Sequence, residues 1–202
     1  MFRGPGDTEK FESNMISTSI PATVPSGDSA SLAILGESLQ LSCVELMAEY
    51  GLTAHLEQAT SSEAPVSVLV AGVDFKGREL RGTVALWATR TVIAETTRAA
   101  VGLGASDNDL PDWTCELANQ LIGRLKNKLR KYDVSLSLDV PRLIAGSGLE
   151  ELEHAVRYRF SCDYGALAAS LDVMIKPGFV LKARPADETT EALVHEGDFV
   201  LL

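Results

Sequence analysis

The chain predicts an α+β fold in which an antiparallel sheet carries two long helices on one face. Three observations lead there. Residues 31–50 and 111–132 place apolar side chains at helical spacing. Residues 66–89 and 156–175 are β-prone runs, each broken near its middle by a turn-forming cluster, Lys76-Gly77-Arg78-Glu79 in one and Asp163-Tyr164-Gly165 in the other. Short strand-like segments near 53–59 and 134–140 stand between helix and hairpin in both halves. The order helix, strand, hairpin therefore occurs twice, which predicts a pseudo-two-fold repeat of topology. The halves share almost no residue identity, so the expectation concerns topology and not a repeated sequence.

Each element follows from its residues. Residues 1–29 are rich in Ser, Thr, Pro and Gly and have few large apolar groups, and they are expected to form a disordered leader. Leu32, Leu35, Leu39, Val44, Leu46 and Met47 suit one face of a first helix that Gly51 ends. The segment 53–59 is expected to lie beside the hairpin that follows it. Thr91 to Val101 reads as a crossover helix closed by Gly102 and Gly104, and Pro111 and Tyr132 bracket the second long helix. The folded domain is expected over 30–178, with 179–202 as a C-terminal extension. Within that extension, Ala192–His195 and Phe199–Leu202 are β-prone and suit either a small hairpin on the sheet edge or a binding peptide for a partner, with docking on the domain as the expectation.

Composition excludes several function classes. A chain of 202 residues with 46% apolar residues can bury a sizeable single core. A formal net charge of −10 opposes nucleic-acid binding, which needs a basic face to neutralise phosphates. The N-terminus lacks the apolar stretch of a signal peptide, and the apolar run 66–73 is too short to span a bilayer, so a soluble cytoplasmic protein without membrane contact is expected. Cys43, Cys115 and Cys162 are widely spaced among apolar neighbours and read as buried reduced thiols. His55, His154 and His195 have no partners at catalytic or metal-ligand spacing and receive no role.

The most informative stretch is Asp112-Trp113-Thr114-Cys115-Glu116-Leu117-Ala118-Asn119, followed by Gly123 and then Pro141. At about 100° per residue, Asp112, Glu116, Asn119 and Gly123 form one narrow stripe of a helix. Thr114, Leu117, Ala118, Leu121, Ile122, Leu125 and Leu129 gather on the opposite side. The apolar face should anchor the helix while the polar stripe meets a partner. Solvated surface is the plainer account of such a stripe. For Trp113 the plainer account is a packing staple and the sharper one a partner contact. For Arg124, Lys126, Lys128, Arg130 and Lys131 the choice lies between favourable interaction with the helix C-terminus and steering toward an acidic partner.

Asp112, Glu116, Asn119 and Pro141 together resemble the active-site signature of the CheC/CheX chemotaxis phosphatases, and Pro141-Arg142-Leu143-Ile144-Ala145-Gly146 is similar to the strand exit of CheX-like sequences. The resemblance covers roughly residues 30–178. The interval between Asn119 and Pro141 is one residue shorter than in the family pattern. The first helix offers only Glu37-Ser38-Leu39-Gln40 where a two-site relative carries a second Glu and Asn, so one active site per chain is the expectation. The resemblance implies a phosphatase that removes the aspartyl phosphate of a CheY-like response regulator, with Glu116 and Asn119 catalytic and Asp112, Glu116, Gly123 and Pro141 contacting the partner. No metal site or cofactor is expected in this chain; a divalent metal, magnesium, is expected in the partner's active site.

The residue types suit that chemistry. An acyl phosphate is already activated, so the catalyst has chiefly to place one water in line with phosphorus while the partner's metal and lysine balance the charge. A carboxamide accepts a hydrogen bond from water without bringing negative charge toward the phosphoryl group. Glu116, as the resemblance implies, would pair with the partner's lysine. A different class stays open: a non-catalytic scaffold module that holds a receiver domain within a flagellar or signalling assembly. An unrelated α+β domain with a chance motif is the third reading, and self-association as a homodimer is left open.

Overall fold

Alternating side chains along 68–89 and 156–175 point to the two faces of a sheet, one covered by the helices and the other partly covered by the segment that holds Ile144 and Leu152. A computed structural model describes residues 29–57, 68–102 and 106–183. Helix α1 (Ser29–Glu49) leads to β1 (Ala54–Leu56), the hairpin of β2 (Val68–Gly77) and β3 (Leu80–Thr89), and helix α2 (Arg90–Val101). Helix α3 (Leu110–Leu129) follows, then β4 (Leu136–Leu138), β5 (Arg142–Leu143) and the hairpin of β6 (Val156–Cys162) and β7 (Gly165–Ile175). A 3-10 turn, Arg130–Tyr132, ends α3, and another, Gly146–Leu152, precedes β6. The expectations for the leader, Gly104, His195 and the β-prone C-terminal residues lie outside the described residues.

The seven strands form one antiparallel sheet in the order β1-β6-β7-β3-β2-β4, with β5 also paired to β2. The mixed α+β class and antiparallel sheet are as expected. One pairing is not: β1 lies against β6, Ala54 opposite Cys162, and not beside the hairpin that follows it. Likewise β4 borders β2, Phe75 opposite Leu138. Each short strand thus closes the edge of the other half's hairpin. Exchanging β1 with β4, β2 with β6 and β3 with β7 returns the same strand order reversed, whereas α2 and β5 have no counterpart in the other half.

All three helices lie on the same side of the sheet. The apolar face of α3 is fully inside: Leu117, Leu121 and Ile122 are 0% exposed, and Thr114, Ala118, Leu125 and Leu129 are buried with them. Each buried leucine contributes about 1.5–3 kcal/mol, so this face alone holds the helix on the sheet. Helix α1 is less regular than its spacing implies. Leu35, Leu39, Leu46 and Met47 are buried, but Val44 turns outward, and Ser31, Gly36, Ser38 and Ser42 share the buried face. Small residues let α1 sit close. A Cβ on Gly36 would overlap the Tyr158 hydroxyl, and Ser42 returns its own hydroxyl to the Ser38 carbonyl at 2.7 Å. Helix α1 is long and apolar enough to cross a membrane by length and composition, yet half of that window is buried inside the protein.

Gly51 ends α1 as its spacing predicts. With φ at 73° it turns the chain into the left-handed region, the Gly51 N–H bonds the Ala48 carbonyl at 3.0 Å, and the Leu52 N–H reaches the Met47 carbonyl at 3.0 Å. That pair of bonds is the Schellman arrangement, and it holds Tyr50 rigidly at the end of the helix. Past β7, the Leu181 N–H bonds the Ser31 hydroxyl at 3.0 Å and ties the segment after the sheet to the start of α1. On the other face of the sheet, Val70, Ala85, Trp87 and Ala168 meet Ile144 and Leu152 in a smaller cluster, over which the Arg157 guanidinium stacks 3.9 Å from the Trp87 ring centre.

Candidate functional site

Helix α3 starts at Leu110 with Pro111 in its first turn, where a missing N–H costs nothing. Its buried stripe dictates what points outward, and Asp112, Glu116 and Asn119 are all exposed on the side away from the sheet. Among the described residues the Asn119 carboxamide has no hydrogen-bond partner. Gly123 continues the line one turn on, and a Cβ built there would meet nothing within 4 Å. The four residues form a continuous outward strip, with an acidic end, a carboxamide and a flat step at the glycine. Because exposed positions of this kind change stability by only about 0.5 kcal/mol, the strip contributes little to the fold.

Pro141 stands on a different element. The sheet edge beyond β2 consists of β4 and β5, and between them the register slips by one residue: Leu138 faces Phe75, whereas Arg142 faces Gly72. The extra residue is a bulge at Asp139-Val140-Pro141, where a proline without an N–H is tolerated. The Asp139 N–H bonds the Asp74 carbonyl at 2.9 Å before the bulge, and the Ile144 N–H bonds the Val70 carbonyl at 2.8 Å after it. The Arg142 guanidinium pairs with Asp74 at 2.7 Å, and Thr83 donates to the same carboxylate at 2.6 Å. Helix α3 overlies β2 and reaches β5, so Pro141 lies along the sheet edge that α3 covers, on a different element from the outward strip.

Trp113 resolves in favour of packing, and two of the basic residues form ion pairs between helices. The Trp113 indole is half-buried, donates to the Thr96 hydroxyl at 3.0 Å and meets the Tyr50 ring edge-on at 5.8 Å between centres. It staples α3 to α2 and α1. Arg124 pairs with Glu49, and Lys128 with Glu45 at 2.7 Å. Two of the five basic groups therefore form rungs between antiparallel α1 and α3, a role that neither the dipole nor the steering account foresaw. Cys43 is buried as expected, but Cys115 and Cys162 are only half-buried, and all three thiols are free. Burial, reinforced by the Asp112 charge, pushes the Cys115 thiol up, so this group beside the strip stays protonated at neutral pH.

Two side chains near Glu116 escaped the sequence reading. Gln120, one turn along, donates from Nε2 to Glu116 Oε1 at 2.9 Å, and the Tyr50 hydroxyl donates to Gln120 Oε1 at 2.8 Å. The first bond was legible, because residues four apart on a helix are neighbours. The second joins groups 70 positions apart and has no local signal.

The counterpart pair on α1 is differently placed. Glu37 is exposed, but Gln40 is half-buried and hydrogen-bonded to Tyr158, whose ring crosses α1 at Gly36. Burial, opposed by the Gln40 bond and reinforced by Glu37, raises the Tyr158 hydroxyl above its ordinary value. The Gln40 carboxamide is thus engaged by a tyrosine and half-buried, whereas that of Asn119 is exposed. Replacing Gln40 with Ala is therefore expected to leave turnover of a phosphorylated receiver unchanged, and a large loss of rate in steady-state assays would place chemistry on α1.

Among the described residues, no group of three or more His, Cys, Asp and Glu side chains is placed to hold a metal ion. Residues 69–163 match the family described as chemotaxis phosphatase CheX, a span that contains α3, β4, β5 and all five candidate residues. Comparison with curated proteins yields no match. Among solved structures, the chemotaxis protein CheX from Vibrio vulnificus superposes with a TM-score of 0.60 at 14% identity, over 69% of this chain and 99% of that one. The CheX of Desulfovibrio desulfuricans gives 0.56 at 16% identity, over 69% and 99%. A chemotactic CheC-like protein from Shewanella oneidensis gives 0.53 at 17% identity, over 72% and 98%. These likenesses establish a shared fold, and the stretch that holds α3 and the β4–β5 edge is the part of the chain that matches the chemotaxis phosphatase CheX family.

Proposed function

We propose that the protein is a protein aspartyl-phosphate phosphatase acting on a CheY-like response regulator in chemotaxis or related two-component signalling, with one active site per chain. The observation that carries this reading is the outward strip of α3, where Glu116 and the Asn119 carboxamide, unpartnered among the described residues, stand on a helix anchored by an entirely buried face, inside the span that matches the phosphatase family.

The strip works by insertion into the receiver's active site. Glu116 pairs with the receiver's lysine and sets the register. Asn119, three residues further along the same helix, then accepts a hydrogen bond from a water and directs its lone pair in line with phosphorus. The water oxygen bonds to phosphorus, the bond from phosphorus to the aspartyl oxygen breaks, and the products are inorganic phosphate and a free carboxylate on the receiver. The receiver's divalent metal supplies charge neutralisation of the phosphoryl oxygens; this chain supplies placement. Asp112 and Pro141 border the contact, and the reaction is expected in the cytoplasm, where receivers are phosphorylated.

Accelerated loss of label from a phosphorylated CheY-like receiver tests the reading. Binding without faster hydrolysis would favour the scaffold module, and neither binding nor hydrolysis would overturn both. Gly123 allows a finer test of docking. Alanine is favoured over glycine inside a helix by about 1 kcal/mol, and a Cβ at 123 meets nothing in the free protein. Gly123→Ala is therefore expected to raise the thermal midpoint yet weaken receiver binding. Unchanged affinity would remove Gly123 from the contact.

A further inference from the structure

An exposed glutamate ordinarily samples several rotamers, and a partner that needs one of them has to freeze the side chain on binding. In this protein Glu116 is already tethered. Gln120 Nε2 donates to Glu116 Oε1 at 2.9 Å, and Gln120 Oε1 accepts from the Tyr50 hydroxyl at 2.8 Å. The direction of this chain of bonds is dictated by chemistry. An ionised carboxylate only accepts, so the amide must present its nitrogen to Glu116; its carbonyl then faces Tyr50, and the phenol must be the donor. Burial holds the Tyr50 hydroxyl above its ordinary value, with Gln120 opposing that rise and Glu49 and Glu116 adding to it, so the donor keeps its proton at neutral pH.

The far end of the chain is rigid. Tyr50 sits in the Schellman cap of α1, its ring is met edge-on by Trp113, and Trp113 is anchored on Thr96. The Arg124–Glu49 and Lys128–Glu45 pairs hold α1 against α3 on the same flank. Tyr50, backed by Trp113 and through it by Thr96 of α2, thus holds a single α3 amide that reaches the Glu116 carboxylate.

We propose that Tyr50 and Gln120 are positioning residues that pre-set the Glu116 carboxylate for the cation it meets on the partner. The inference rests on the docking role of Glu116 and adds the reason that a surface glutamate can set register. Fixing one long side chain in advance is worth about three- to tenfold in affinity. The effect belongs to docking and not to the placement of water by Asn119.

The test uses Tyr50→Phe, which keeps the ring against Trp113 and deletes only the donor, and Gln120→Met, which keeps the length and deletes the amide. In the free protein, side-chain scalar couplings of Glu116 are expected to report one dominant rotamer in the wild type and averaging in Gln120→Met. Against a beryllofluoride-loaded CheY-like receiver with magnesium, each variant is expected to bind about three- to tenfold more weakly, and in turnover to raise KM with kcat unchanged. In a Glu116→Ala background neither substitution is expected to have a further effect. Unchanged couplings in Gln120→Met, or equal losses with and without Glu116, would overturn the inference. If the wild type binds the receiver and both variants bind it equally well, the inference fails alone. If the wild type neither binds nor dephosphorylates the receiver, the docking reading fails and takes the inference with it.

Discussion

An Asn119→Ala protein is expected to keep its fold and its affinity for a phosphorylated receiver while losing at least about a hundredfold in turnover. The carboxamide projects from the exposed strip and has no hydrogen-bond partner among the described residues, so its removal opens no cavity and leaves no buried group unsatisfied. What it removes is geometry. A water that is no longer held in line with phosphorus attacks from a spread of directions, and little of that spread is productive. Single-turnover loss of label, measured beside thermal unfolding, separates this outcome from misfolding. An Asn119→Ala protein with the wild-type rate and the wild-type midpoint would remove the residue from the mechanism.

Glu116→Lys is expected to abolish docking. The substitution sets an ammonium against the partner's lysine, and like charges forced together at an interface cost several kcal/mol, about a hundredfold or more in affinity. Glu116 is exposed and, among the described residues, its side chain bonds only Gln120, so the fold should be retained. Titration calorimetry against a phosphoryl-mimic form of the receiver checks the assignment, with normal affinity as the contradicting result. The two variants divide the labour of the strip. Asn119→Ala should lower kcat, whereas Glu116→Lys should act through binding, and a reversal of that pattern would exchange the roles.

The basic residues at the end of α3 show how a sequence pattern can be accounted for by a neighbour it does not contain. Arg124 and Lys128 lie four apart on the helix, which is visible in one dimension; that Glu49 and Glu45 face them from α1 is not. The same holds for Tyr158, which bonds Gln40 from a strand more than a hundred positions away.

Local physics is sufficient for much of what was legible in advance. The apolar stripe of α3 was readable residue by residue, because helical periodicity alone sorts Thr114, Leu117, Ala118, Leu121, Ile122, Leu125 and Leu129 from Asp112, Glu116, Asn119 and Gly123, and burial followed that sorting. Both hairpins and their turns were readable for the same reason, as was the end of α1 at Gly51, where a left-handed residue was needed. Helix α1 was read less well. Its buried face is built from serines and a glycine as much as from leucines, and close approach to Tyr158, not hydrophobicity, selects them.

Tertiary structure alone decided which strands pair across the halves, the bulge that puts Pro141 on the sheet edge, and the tether on Glu116 that begins at Tyr50. Strand order depends on which hairpin edge each short strand can reach once the helices have packed, and hydrogen-bonded side chains 70 residues apart depend on that packing in turn. Periodicity reports which way a side chain points from its own element. It carries no information about what will be waiting there, because that is settled by the contacts of the whole chain.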